Sequence, residues 1–155
     1  MIKLVRVDHR LLHGQVAFSW ASALSADCIL IANDEVFDDE ILMMALKLAK
    51  PNGIKLVIKN IEDSIQAINS GVTDKYKLFI VVNKIADAYK LAKNTNIKSI
   101  NLGGTKALEG TRNISKAINI FPDEEKMLDE LVKTNIEVEV RMVPTDTKLD
   151  YTSVK

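Results

Sequence analysis

The chain has 155 residues, with Lys+Arg and Asp+Glu both at 21 and a formal net charge of zero. Hydrophobic residues make up 47%, which excludes a disordered chain, and the neutral balance argues against an electrostatic nucleic-acid binder. One cysteine, Cys28, excludes an internal disulfide and a thiolate metal cluster, and no apolar run is long enough for a membrane-spanning helix.

Residues 2–7 (IKLVRV) read as a strand. Residues 14–23 (GQVAFSWASA) place small and apolar side chains at helical spacing, and 28–32 (CILIA) is apolar throughout, as a strand buried on both faces must be. Residues 38–50 predict a helix with Ile41, Leu42, Ala45, Leu48 and Ala49 on one inward stripe, stopped by Pro51-Asn52-Gly53. A strand over 54–59 and a helix over 61–70, closed by Gly71, follow. Residues 76–82 (YKLFIVV) form another buried strand, and 84–93 a helix with Ile85, Ala88, Tyr89 and Ala92 inward. A short strand at 99–102 leads into Gly103-Gly104-Thr105, and 114–120 (ISKAINI) reads as extended. Pro122 sits near the first turn of a helix over 123–133, where Asp123, Glu124 and Glu125 suit the positive end of the dipole. Residues 136–140 (IEVEV) alternate as an edge or half-exposed strand does, and the tail after Asp150 is expected to be loosely held.

This alternation predicts an α/β fold: a three-layer sandwich with a mostly parallel central sheet of about seven strands and helices on both faces. Residues 1–155 read as one domain, and the N-terminus lacks the pattern of a signal peptide, so the expected location is the cytoplasm. Sheets of this kind bind ligands outside the carboxyl ends of their strands. The predicted rim comprises residues 8–13, 33–36, Asn60, Asn83 and 103–105.

Both histidines, His9 and His13, and two of the four arginines, Arg6 and Arg10, fall within the first 13 positions. His13 lies between a strand and a helix, where free backbone amides favour anions. An imidazole there is a suitable phosphoryl carrier, nucleophilic near neutral pH because its reference pKa is about 6.5. Arg10 is placed to fork the phosphoryl oxygens, Asp8 to orient Arg10 or one ring nitrogen, and Gly14 to admit close backbone approach. Position alone equally allows His13 to be a helix cap, His9 an exposed bystander and Arg6 a surface charge. HRLLH lacks the glutamate of a zinc helix, and neither a dinucleotide fingerprint nor a P-loop is present. Gly103-Gly104-Thr105 is a phosphate-cradling turn or a plain one. Cys28 reads as core; Trp20 packs the first helix or meets a partner; Asn33-Asp34-Glu35 starts a helix or lines the cleft.

The stretch RVDHRLLHGQVAFSW resembles the phosphohistidine loop of IIB subunits of the mannose/fructose/sorbose family of bacterial sugar phosphotransferase systems (PTS). Arg6, Asp8, Arg10, Leu11, His13, Gly14, Gln15, Val16 and Trp20 match that pattern, and IANDEVFDDE, INLGGT and RMVPTD look like later family segments in order. His9 and Thr105 depart from it, standing where many members carry Asp and Met. The resemblance implies a protein-N(π)-phosphohistidine–sugar phosphotransferase. His13 would take a phosphoryl group from a IIA partner and pass it to a sugar held by membrane IIC and IID subunits. Arg10 and Asp8 would be catalytic, with Gly14, Gln15, Arg6, Gly103, Gly104 and Thr105 as phosphate-binding or loop-supporting residues. The resemblance implies no metal, no cofactor and no nucleic acid, and a cytoplasmic protein associating transiently with the membrane permease. It leaves the sugar and a homodimer open. Two competitors share the fold: a non-catalytic, flavodoxin-like regulatory or anion-binding module, and a hydrolase or isomerase using His13 as general base.

Overall fold

CILIA and LFIVV, too apolar for water on either side, lie at the heart of a seven-stranded sheet. A computed structural model describes residues 1–155. The elements are β1 (Ile2–Asp8), α1 (Gly14–Ala23), β2 (Cys28–Ala32), α2 (Asp34–Phe37), α3 (Glu40–Ala49), β3 (Lys55–Lys59), α4 (Ile61–Ser70) and β4 (Leu78–Val82). There follow α5 (Ile85–Asn94), β5 (Ser99–Gly104), β6 (Arg112–Ser115), β7 (Ile118–Ile120), α6 (Pro122–Lys133), β8 (Glu137–Val140), β9 (Leu149–Asp150) and α7 (Tyr151–Val154). The sheet order is β3-β2-β4-β1-β5-β8-β9, parallel throughout except for β9 against β8.

Strand alternation sorts the apolar side chains into two cores. Val5, Val7, Leu30, Ile80 and Val82 meet α4, α5 and α6 on one face; Leu4, Ile29, Ile31, Phe79 and Val81 meet α1 and α3 on the other. Each fully buried Val, Leu or Ile contributes about 1.5–3 kcal/mol relative to exposure. Polar rim residues cap the helices that leave the strands. Asn33, Asp39 and Asn60 accept backbone N–H groups of Val36, Leu42 and Asp63. Gly71, at φ +84°, ends α4 in the left-handed conformation that glycine adopts freely.

Four local expectations are corrected. In α3 the stripe of Ile41, Leu42 and Leu48 faces water at 81%, 46% and 88% exposure, and Leu46 is the side chain buried against the sheet. Asp39 caps α3 one residue later than expected and sets its rotation, so Met43 and Leu46 turn inward. The extended stretch over 114–120 is part of a separate hairpin, β6–β7, with the Asn113 amide donating to Asn119 Oδ1 at 3.0 Å across it. β8 is buried at Val138, Glu139 and Val140, because β9 pairs along its outer side. The tail is held: Tyr151 is fully buried and its hydroxyl donates to Asp129 at 3.0 Å. Burial, and then the Asp129 carboxylate, push that phenol well above its ordinary range.

Candidate functional site

β1 carries its last residue, Asp8, to the carboxyl edge of the sheet and buries it completely. The chain then turns at once: Leu11 N–H donates to the Asp8 carbonyl at 2.8 Å, and the Arg10 amide donates to Asp8 Oδ1 at 3.0 Å. The turn places Leu11 at φ +58°, a conformation costing roughly 1–2 kcal/mol in a non-glycine residue, and buries its side chain in the core in return. Gly14 opens α1 at φ +43°, with no other atom within 4 Å of where a Cβ would stand. His13 occupies the N-cap position of α1, but its ring makes no capping bond. The amides at the start of the helix are therefore free of any side-chain partner.

The His13 ring turns to Asp8 instead, with Nε2 at 3.2 Å from Oδ2. An ionised carboxylate only accepts, so Nε2 is the donor of this pair, and in the neutral ring Nδ1 keeps its lone pair. Arg10 donates to both carboxylate oxygens, through Nε at 3.2 Å and a terminal nitrogen at 3.4 Å. Arg6 reaches Oδ2 from within the protein at 3.0 Å. Burial alone would raise the Asp8 carboxyl, but the Arg10 donors, the Arg6 charge and His13 outweigh it and hold it below its ordinary range. The exposures differ in a useful way: the Asp8 side chain is closed at 0%, His13 stands open at 27% and Arg10 at 43%.

A second layer immobilises Arg6. Its guanidinium donates to Asn101 Oδ1 at 2.7 Å and to the Arg141 carbonyl at 3.2 Å, and lies 5.3 Å from the Trp20 ring centroid. Arg141 covers Trp20 at 4.9 Å and pairs with buried Glu139 at 3.0 Å. Trp20 Nε1 donates to the Met142 carbonyl at 2.9 Å. Burial lowers the Arg6 pKa, and the Asp8 charge opposes that shift.

Asp8, Arg10, His13, Gly14 and Gln15 thus form one continuous rim segment, with Arg6 beneath it. The strand predicted over 99–102 runs on through the glycines: Gly103 and Gly104 lie buried inside β5 rather than in a turn, and a Cβ on Gly103 would collide with the Arg6 guanidinium. Gly103 is a glycine because a guanidinium fills its side-chain space. Thr105 donates to the Asn119 carbonyl at 2.7 Å and fastens the β6–β7 hairpin to β5. Asn33 and Asn60 are caps, and Asp34 accepts the Ile61 amide, so these rim polars serve the scaffold. Sequence reasoning assigned no role to Asn101, Glu139 or Arg141. The only hint was a glutamate at an alternating strand position and an arginine just beyond it.

Residues 2–154 match the family model described as the PTS system sorbose subfamily IIB component. The chain is 35% identical to a probable phosphotransferase enzyme IIB component of Streptococcus pyogenes, covering 96% of each. It is 28% identical to the PTS system mannose-specific EIIAB component of Escherichia coli, where 96% of this chain spans 46% of that longer protein. Among solved structures, the IIBSor domain of the sorbose permease from Klebsiella pneumoniae superposes with a TM-score of 0.93 at 27% identity, over 99% of this chain and 94% of that one.

Proposed function

The chain belongs to the sorbose subfamily of PTS IIB components, phosphotransferases that take a phosphoryl group from IIA and pass it to sugar, and on that premise we propose that His13 Nδ1 carries the group. The observation that carries this reading is the bond from Nε2 to a buried carboxylate, which leaves Nδ1 as the only ring nitrogen with a lone pair to offer.

The Nδ1 lone pair attacks the phosphorus of a phosphohistidine on the IIA partner. The new N–P bond forms as the donor N–P bond breaks, and the donor imidazole leaves with that electron pair. In the second transfer a sugar hydroxyl oxygen attacks the same phosphorus, the His13 N–P bond breaks with its electron pair returning to Nδ1, and the hydroxyl proton passes to water. Asp8 stays ionised throughout, fixes the ring and stabilises the cationic imidazole of the phosphorylated state. Arg10, exposed at the rim, and the uncapped amides from Gly14 and Gln15 onward meet the phosphoryl oxygens. Arg6 acts through Asp8 as a positioning residue. All these side chains come from one chain, so the transfer needs no second copy, and residues 1–155 act as one IIB domain.

The partners in this reading are a IIA protein and the membrane IIC and IID subunits, which present the sugar. The mannose-specific relative, whose name joins IIA and IIB, supports the first partnership. No helix is long and apolar enough to cross a membrane, which fits a cytoplasmic protein that visits the permease transiently.

Phosphoenolpyruvate, the general PTS phosphocarriers and a IIA protein should add one acid-labile, base-stable phosphoryl group, seen by intact mass. His13→Ala should remove it, and equal labelling of that variant would overturn the assignment. Phosphorus NMR distinguishes Nδ1 from Nε2. Arg10→Ala should slow transfer about 10²–10³-fold while the fold persists.

A further inference from the structure

α3 turns one apolar side inward and a second outward. At about 100° per residue, Ile41, Met44 and Leu48 fall within an arc of about 60°, opposite the buried Leu46. They are 81%, 65% and 88% exposed. With exposed Ala45 beside them they form an apolar patch of roughly 500 Å², toward the upper end of what a soluble monomer leaves in water.

The charges flanking this stripe select its occupant. Glu40 and Lys47 stand two turns apart on one flank, the acid at the start of the helix and the base at its end, with Ala45 on the other flank. Both are exposed, and neither enters an ion pair within the chain. A helix of the same sequence, packed antiparallel, brings the same flank against its copy in reverse order. Glu40 then meets Lys47 of the second copy, and Lys47 meets its Glu40. The midpoint of this charge pair, between Met43 and Met44, falls within the span of the apolar stripe, so one two-fold axis satisfies both. On the other flank Ala45 faces its own copy and is small enough to let the helix axes approach to about 8–10 Å. An unrelated apolar surface would answer the stripe alone, whereas a second copy answers the stripe and the charges together.

We infer that α3 is a self-association surface through which two copies of this chain pair antiparallel about a two-fold axis. Covering both patches removes roughly 1,000 Å² from water, the lower bound for a specific interface. The dimer is therefore weak and reversible, with a Kd on the order of 10–100 µM. His13 takes no part in it, so the pairing does not depend on the function proposed above.

Sedimentation velocity from about 1 µM to about 1 mM at low salt should show a monomer–dimer equilibrium with its midpoint in that range. Leu48→Gln should weaken it about tenfold or more. Glu40→Lys and Lys47→Glu should each weaken it about tenfold by setting like charges together, and the two combined should restore wild-type association. Circular dichroism of the same samples, diluted, should show one fold in every variant. A chain still monomeric at about 1 mM, a dimer indifferent to Leu48→Gln, or a combined exchange as weak as either single one would overturn the proposal. So would a monomer that binds phosphatidylglycerol vesicles through Leu48, or a Leu48→Gln variant that loses His13 labelling by IIA. Those results would give the stripe to a lipid surface or to IIA instead.

Discussion

Asp8 is the hub of the proposed site, because its two oxygens answer to three side chains from a position closed to water. The most buried of the three is Arg6, wedged between Trp20, Asn101 and the bare backbone of Gly103. Gly103→Ala puts a methyl group into a guanidinium that has nowhere to withdraw. The expected cost is about 1–3 kcal/mol in urea denaturation, together with slower phosphorylation of His13. Retention of both wild-type values would show that Arg6 has freedom the structure denies it. The Asp8 carboxyl also sets an acid limb. Its folded pKa lies below the ordinary value of 3.8, so the unfolded chain takes up the proton first. That contribution is complete above the ordinary value and disappears as pH falls through the lower folded one. The carboxyl carbon shift of Asp8 should titrate below the ordinary range in NMR, and Asp8→Asn should flatten the loss of stability as pH falls through and below that range.

At the scale of elements, α3 and the C-terminal segment exchange the roles that pattern alone assigns them. In α3, apolar residues occupy two overlapping helical stripes, and periodicity cannot say which one meets the sheet. The Asp39 cap and the preceding turn of α2 decide for Met43 and Leu46. The tail has too few residues to display a period, yet β9 closes the β8 edge and Tyr151 fills the core beneath α6. The two substitutions Tyr151→Ala and Leu48→Gln should therefore differ sharply. The first should lose about 3–5 kcal/mol, by analogy with other large buried aromatics, and the second should stay within about 0.5 kcal/mol. Urea midpoints measure both, and a larger loss at Leu48 than at Tyr151 would contradict the observed packing.

For the molecule as a whole, the interior of the sheet and its margins are held to different degrees. The interior strands β4 and β1, paired on both sides and covered on both faces, are the last parts able to open. The two-residue β9 and the β6–β7 hairpin outside the sheet should open locally. Native-state hydrogen exchange should give β4 and β1 the global unfolding free energy and the hairpin a clearly smaller one. A rigid sheet beneath a partly open loop is what a carrier meeting two partners in turn requires. The loop can be exposed while Asp8, one residue inside, is not.

The layered α/β architecture is legible in the residues alone, because strands buried on both faces must be apolar throughout and helices between them must alternate. So is the place of the proposed site, since His13, Arg10 and Asp8 follow closely on the end of β1 and need no distant contact to meet. What stands behind them is set by the folding of distant segments onto β1. Asn101, Gly103, Glu139 and Arg141 lie far along the chain and reach Arg6 or Trp20 because β5 lies beside β1 and β8 beside β5. Local periodicity carries no information about which strands become neighbours. For that reason Arg6, readable in sequence as a surface charge, is the buried cation that holds Asp8 in place.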